Sequence, residues 1–276
     1  MRSIFLIFVF LSACSRGPST APYLVAHRGA SAIAPENTLA AFELAWSQGA
    51  SNVEGDFYVS LDGRIVCIHD KHTERTGSSK LPVSGTVSSE LRQLDVGAWK
   101  GSRWAGEKIP YLEEVLQTIP KHGRLLLEIK CGLEILPLLA EVLSNSKLRA
   151  EQVDLICFDK DVIAAAKKIM PDHAAWWLVS FKEEDGVWFP RAEDTLATLE
   201  RIGAEGLGCN AKLEVVTKDF ANKLHARGFG LNVWTVNDPS FAKELIERGA
   251  DLITTDRPLE LSIEINRDAF EVTSSH

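Results

Sequence analysis

The sequence predicts a single closed (β/α)8 barrel, a TIM barrel, with a short insertion after its second strand region. Three observations carry this. From residue 23 onward, short apolar runs alternate with amphipathic stretches, which implies parallel strands joined by helical crossovers. About eight such units fit into roughly 250 residues, the usual size of a closed barrel. No G-x-G-x-x-G or P-loop pattern follows the first strand, which argues against an open nucleotide-binding sheet.

The elements follow in order. Tyr23 to His27 is a short apolar strand, and 35–48 reads as a helix with Leu39, Phe42 and Trp46 on one face. Residues 52–70 are two extended segments joined at Leu61-Asp62-Gly63-Arg64, because Asp-Gly favours a turn. Residues 71–108 are polar and turn-rich, an insertion rather than a core element. An amphipathic stretch from Leu112 to Ile119 is broken by Gly123. Strands are expected at 124–130, 153–158, 174–180, 206–210, 229–236 and 251–255. Helices are expected at 134–145, 161–169, 192–202, 214–227, 239–248 and from Pro258 onward. Trp176 and Trp177 are adjacent on a strand, so one faces the barrel and the other the helices.

Of the 276 residues 45% are hydrophobic, enough for one large core, and the net charge of -8 lacks the basic face that nucleic acid requires. No apolar run of about 18 residues interrupts the domain, so no spanning helix is expected there. The start of the chain reads differently. Met1-Arg2 precedes the apolar run Ile4 to Leu11, the pattern of a secretory signal. Leu11-Ser12-Ala13-Cys14 resembles the lipobox of bacterial lipoproteins, and Ser15 resembles signals sending them to an outer membrane. The expectation is a signal peptide over 1–13, cleavage before Cys14, lipidation of Cys14, and a flexible Pro/Gly-rich tether over 14–22. The domain from 23 to 276 would then be exported and membrane-anchored in the cell envelope, at the outer membrane and periplasm. Cys67, Cys131, Cys157 and Cys209 lie far apart with no C-x-x-C spacing, so they are read as packed thiols rather than zinc ligands.

The chemistry lies where apolar strands end. In such barrels the active site is built from the C-terminal ends of the strands. Those ends carry His27 and Arg28, then Glu54 and Asp56, His69 and Asp70, Glu128 and Lys130, and later Trp234 and Asn237. Residues two apart on a strand share a face, so Glu54 pairs with Asp56 and Glu128 with Lys130, while Cys131 turns away. Glu54, Asp56 and Glu128 then converge on one rim, where their charges repel unless a cation lies between them. All-oxygen ligation suits one hard divalent cation, Mg²⁺ or Ca²⁺. Arg28 and Lys130 beside such an ion describe a site for a phosphate ester, and His27 and His69 can trade a proton between nucleophile and leaving group. The remaining histidines fall in turns or helices and are expected at the surface. The loop after Ser180 places Phe181, Trp188 and Phe189 beside Glu183, Glu184 and Asp185. That composition suits a choline or ethanolamine head group, with helix packing as the alternative.

Seven short motifs follow one another along these positions: His27-Arg28-Gly29, Pro35-Glu36-Asn37-Thr38, Glu54-x-Asp56, His69-Asp70, Glu128-Ile129-Lys130, Trp234-Thr235-Val236-Asn237 and Thr255-Asp256-Arg257-Pro258. In this order the chain resembles the glycerophosphodiester phosphodiesterases, over Tyr23 to about Leu259, and its short insertion is similar to that of compact bacterial members. The resemblance implies hydrolysis of glycerophosphodiesters to sn-glycerol 3-phosphate and an alcohol. A route through attack of the glycerol 2-hydroxyl and a cyclic phosphate opened by water goes with it. It implies His27 and His69 as the acid/base pair, and Glu54, Asp56 and Glu128 as ligands of the cation. Arg28 and Lys130 would bind the phosphate, Trp234 would wall the substrate pocket or else pack in the core, and Glu36, Asn37, Asp70 and Asn237 would support the site. Asp70 and Asp256 are read as fixing backbone or an imidazole. Two other classes share parts of the pattern: phospholipase D-like lyases that release a cyclic phosphate, and a non-catalytic lipid-anchored binding protein.

Overall fold

Eight parallel strands close on themselves, and the only strand of the large sheet that runs the other way lies outside the barrel, among the described residues. The computed structural model describes residues 23–273. The expected signal segment, Cys14 and the tether lie outside the described residues. The elements are β1 (Leu24–Ala26), α1 (Leu39–Ser47), β2 (Asn52–Val59), β3 (Ile65–Cys67), α2 (Ser88–Leu91), α3 (Leu112–Thr118), β4 (Arg124–Ile129) and α4 (Ile135–Asn145). Then follow β5 (Val153–Cys157), α5 (Lys160–Ile169), β6 (Ala175–Val179), β7 (Lys182–Glu184), β8 (Val187–Phe189) and α6 (Ala192–Ile202). The chain continues through β9 (Gly206–Asn210), α7 (Lys218–Ala226), β10 (Gly230–Trp234), α8 (Pro239–Glu247), β11 (Leu252–Thr255) and α9 (Pro258–Thr273). Around the barrel the order is β1-β2-β4-β5-β6-β9-β10-β11, and β1 closes the ring by pairing with both β2 and β11.

The expected (β/α)8 architecture is therefore present, and four local readings change. The first helix begins at Leu39, not Pro35, because Thr38 caps it by accepting from the Ala41 N–H. Such a cap contributes about 1 kcal/mol, and it frees Pro35 to Asn37 to shape a loop. Likewise α7 starts only after Thr217, whose side chain accepts from the Phe220 N–H. The segment before His69 is not a barrel strand: β3 runs antiparallel to the tip of β2, with Phe57 opposite Cys67 and Tyr58 opposite Val66. The insertion is more than a polar excursion. It closes a satellite core in which Val66, Ile68, Val83, Leu91, Leu94, Val96 and Ile109 are buried together.

The main core lies between the strands and the surrounding helices, and a smaller cluster fills the barrel itself. Trp176 belongs to the inner cluster and Trp177 packs outward, as the strand alternation requires. The indole of Trp176 plugs the N-terminal half of the barrel, and neighbouring strands make way for it. A Cβ on Gly206 would come within 2.2 Å of the ring and one on Gly230 within 2.5 Å. With that half filled, open space remains at the opposite rim. Cys67, Cys157 and Cys209 are buried and Cys131 half-buried, all as free thiols. Burial pushes Cys157 and Cys209 up to about 12, so both pack and do not react. No helix among the described residues is long and apolar enough to cross a membrane.

Candidate active site

Glu54 and Asp56 point inward from β2, and the parallel register sets Asp56 beside Glu128 of β4. One carboxylate oxygen from each of the three lies within 4.8 Å of the others. All three are buried, so their charges are poorly solvated. Burial, then repulsion from Asp56 and Glu128, raises Glu54 well above the usual carboxylate range. Burial and Asp56 push Glu128 up to about 7. Burial also acts to raise Asp56, but Arg28, Lys130 and His69 outweigh it and hold Asp56 below its ordinary value. Asp56 is thus the acid that stays ionised, with Arg28 Nε at 3.2 Å and Lys130 Nζ at 3.5 Å. Lys130 Nζ also donates to Glu128 Oε1 at 2.7 Å.

The loop after β1 is shaped to reach this cluster. Arg28 and Asn37 take left-handed backbone conformations, with φ of 56° and 58°. Such strain in non-glycine residues is characteristic of functional loops. It aims the Arg28 N–H at Glu54 Oε2 (2.9 Å). It lets Asn37 grip β2 twice, donating from Nδ2 to Asp56 Oδ2 (2.8 Å) and accepting from the Asp56 N–H (3.1 Å). Gly29 is required here, since a Cβ would lie 2.5 Å from the Ala41 carbonyl carbon. Glu36, from the same loop, accepts from Arg28 Nη1 at 2.7 Å.

The donor set fits a divalent cation. Glu54 Oε1 and Asp56 Oδ1 are buried and accept no hydrogen bond, so each holds a lone pair ready for a ligand. Three carboxylates with no sulfur or imidazole within the trio match the hard-oxygen preference of Mg²⁺ or Ca²⁺.

Each candidate histidine is backed by an aspartate. His27 Nδ1 lies 2.6 Å from Asp256 Oδ1, and His69 Nδ1 lies 2.6 Å from Asp70 Oδ1. The pairing ties down Nδ1 and leaves Nε2 for chemistry. Asp256 is itself fixed by Ser31 Oγ (3.1 Å) and Asn237 Nδ2 (2.7 Å). Burial works to raise Asp256, but the bonds from His27, Asn237 and Ser31 prevail and bring it down to about 2. Asn237 thus serves His27 through Asp256. Burial, helped by the charges of Arg28 and Lys130, lowers His69 despite Asp56 and the bond to Asp70.

These groups line one cavity of about 100 Å³ at the C-terminal rim. One side is charged: His27, Arg28, Glu54, His69, Glu128 and Lys130. The other is apolar, built by Ile156, Phe158, Leu178 and Trp234. Phe158 meets Trp234 edge to face at 5.6 Å. A wider, shallower depression of about 450 Å³ opens at the other end of the barrel, around Arg124, Trp176, His225 and Asp251. It is larger, but it gathers no comparable set of acids and bases.

Two residues at or beside the cavity escape the sequence reading. Phe158 follows β5 and looks like one more apolar strand residue, although its place at a strand end was a usable signal. Arg75, in the insertion, bonds both Glu36 and Asp70 and carries no motif-like spacing. In the other direction, the aromatic loop after Ser180 does not serve the cavity. Phe181 is buried against Phe220. Trp188 packs on the core beside a separate depression that includes Pro190 and Lys223.

Comparison with known proteins adds to this geometry. Residues 27–260 match the family described as the glycerophosphoryl diester phosphodiesterase family. A glycerophosphodiester phosphodiesterase of Bacillus subtilis is 27% identical over 267 residues, covering 90% of this chain and 89% of that protein. One from Caldanaerobacter subterraneus subsp. tengcongensis is 31% identical over 239 residues, covering 85% of this chain and 94% of the relative. Among solved structures, an Oleispira antarctica phosphodiesterase in complex with the product sn-glycerol-3-phosphate superposes with a TM-score of 0.80 at 30% identity. That match covers 89% of this chain and 97% of the other.

Proposed function

This chain belongs to the glycerophosphoryl diester phosphodiesterase family and is a phosphoric diester hydrolase, and from that premise we propose how its residues divide the work. It cleaves small glycerophosphodiesters to sn-glycerol 3-phosphate and an alcohol, with His27 and His69 moving the protons. The observation that carries this reading is one cavity lined by His27, His69, Glu54 and Glu128, with Asp56 completing the acidic trio and Asp256 and Asp70 bonded to the two imidazoles.

Glu54, Asp56 and Glu128 would hold a single Mg²⁺ or Ca²⁺, which would supply positive charge to the phosphate. Arg28 and Lys130 line the same wall and stabilise the charge that develops on the phosphoryl oxygens. His69, made less basic by burial and by its cationic neighbours, starts neutral and accepts the proton of the attacking hydroxyl through Nε2. His27, held by Asp256 across the cavity, hands a proton to the departing alkoxide; the roles then reverse, His27 taking the proton of the water that opens the cyclic phosphate and His69 returning one to the glycerol 2-oxygen. Trp234 and Phe158 face these groups with apolar surface suited to the carbon side of a glycerol. Burial on that side also limits water around the reacting phosphate.

Turnover of glycerophosphocholine, glycerophosphoethanolamine and glycerophosphoglycerol, followed by ³¹P NMR with Mg²⁺ or Ca²⁺, tests this reading. The expected product is sn-glycerol 3-phosphate from at least one diester. A cyclic phosphate that persists would instead place the chain among the lyases, and no turnover with either ion would refute the reading.

Lipidation of Cys14 belongs to the same proposal. The Leu11-Ser12-Ala13-Cys14 run supports it, and it would hold the enzyme in the cell envelope. Radiolabelled palmitate should enter the full-length chain in bacteria and be absent from Cys14→Ala. Equal labelling of the variant would exclude the anchor.

A further inference from the structure

We infer that Arg75 is a positioning residue that sets the placement of His69 relative to Arg28 by gripping the carboxylate behind each. The inference rests on the catalytic reading above and adds a residue to it.

Arg75 donates from Nη1 to Glu36 Oε2 (2.7 Å) and from Nη2 to Glu36 Oε1 (2.8 Å), a two-pronged contact. Its Nε donates to Asp70 Oδ2 at 2.5 Å. Each carboxylate makes its other contact with the site. Glu36 Oε1 also accepts from Arg28 Nη1 at 2.7 Å, and Asp70 Oδ1 holds His69 Nδ1 at 2.6 Å. One planar guanidinium therefore links two relays, Asp70 to His69 and Glu36 to Arg28. The parts come from separate stretches of chain: Glu36 from the loop after β1, Asp70 from beyond β3, and Arg75 from the insertion. The closed ring of strands does not by itself fix their spacing, because β3 lies outside the barrel and pairs with β2 alone among the strands. The insertion supplies the tie.

The chemistry demands arginine. A guanidinium presents its N–H groups in a rigid fork, whereas an ammonium is a point donor on a flexible stem. Lysine at this position can satisfy Glu36 or Asp70 but cannot orient both. Stability and function also separate here. The Arg75 side chain is 44% exposed, and ion pairs this open to solvent add little to folding. The relays, in contrast, end on groups whose orientation decides turnover.

The test compares Arg75→Gln, Arg75→Lys, Asp70→Asn and the Asp70→Asn/Arg75→Gln double variant in the full chain, with kcat, KM and Tm measured for each. Arg75→Gln should lower kcat by roughly 10–100-fold and raise KM severalfold, with Tm nearly unchanged. Asp70→Asn should lower kcat but leave KM close to wild type, because only one relay is cut. The double variant should resemble Arg75→Gln, since the relay that Asp70→Asn cuts is one of the two that Arg75→Gln has already loosened. Arg75→Lys should recover only part of the loss. Wild-type kcat and KM in Arg75→Lys, or kcat losses that multiply in the double variant, would overturn the inference. So would an Arg75→Gln variant that melts early yet turns over normally per folded molecule. Should Arg75→Gln fail to fold, Arg75→Lys alone decides in the same terms. An inactive wild type would instead refute the catalytic reading, which keeps the two failures apart.

Discussion

Replacing His27 or His69 with alanine should lower kcat by roughly 10²–10⁴-fold, the usual contribution of a positioned general acid or base. The two losses have separate causes. Without His27, the Asp256 carboxylate keeps Ser31 and Asn237, so the loop after β11 retains its anchor and the fold should survive. What disappears is the group whose Nε2 lies 3.9 Å from Glu54 Oε2, at the edge of the acidic trio. Without His69, Asp70 keeps Arg75 and the insertion stays seated. Loss of turnover with an unchanged circular dichroism spectrum and melting temperature is therefore the expected pattern. Combining the two substitutions should cost little more than the worse single, because neither proton transfer proceeds once its complement is gone. Single variants within a few-fold of wild type, with glycerol phosphate release as the readout, would remove both residues from the proposed roles. Asp256→Asn offers a graded check. An amide presents a donor where His27 Nδ1 needs an acceptor, so a loss of about 10–100-fold is expected, short of that for the imidazole itself.

Much of this site can be read from the chain because strand alternation is rigid. Once Glu54, Asp56 and Glu128 are assigned to strands, period two puts their carboxylates on the inner face whatever the neighbouring loops do. The barrel is legible for a related reason: crossover helices bury both faces of parallel strands, so the strands appear as short apolar runs. What escaped the sequence depends on contacts between distant residues. The Asp62-Gly63 turn that folds β3 back on β2, with Gly63 at φ 76°, is legible, but the satellite core that seats β3 is not, because its partners are spread from Val66 to Ile109. The left-handed backbone at Arg28 and Asn37 follows from their packing against β2 and α1, not from any local preference of an arginine. Phe181 shows the converse. Aromatics beside acids suggested a binding loop, yet burial against Phe220 satisfies that ring better than solvent-facing contact with a head group. Composition identified candidates for contact; only three-dimensional neighbours decided which contact won.

Chelation of divalent cations should abolish turnover, and cation affinity should rise steeply with pH. The argument begins with protons. Burial and mutual repulsion raise Glu54 and bring Glu128 from its ordinary 4.5 up to about 7. A cation requires both as carboxylates, so its binding must expel protons. Below about pH 7 the dissociation constant should worsen by up to tenfold per unit for each proton displaced. Titration calorimetry with Mg²⁺ and Ca²⁺ at pH 6 and 8, in buffers of different ionisation enthalpy, reads both the constant and the proton count. The same shifts fix the sign for stability. An acid whose folded value is raised binds its proton more tightly in the native state, so folding is favoured at low pH. That advantage is lost as pH rises through the folded value. Metal-free protein should therefore lose stability between about pH 4.5 and 7 through Glu128, and saturating cation should restore it. The thermal upshift on adding Mg²⁺ or Ca²⁺ is accordingly larger at pH 8 than at pH 6. Glu128→Gln should weaken the cation markedly and remove that part of the pH dependence. A dissociation constant equal at pH 6 and 8 would refute the proton release, and turnover that persists in chelator would show that the trio is neutralised by Arg28 and Lys130 alone. The cation would then have no part in the site.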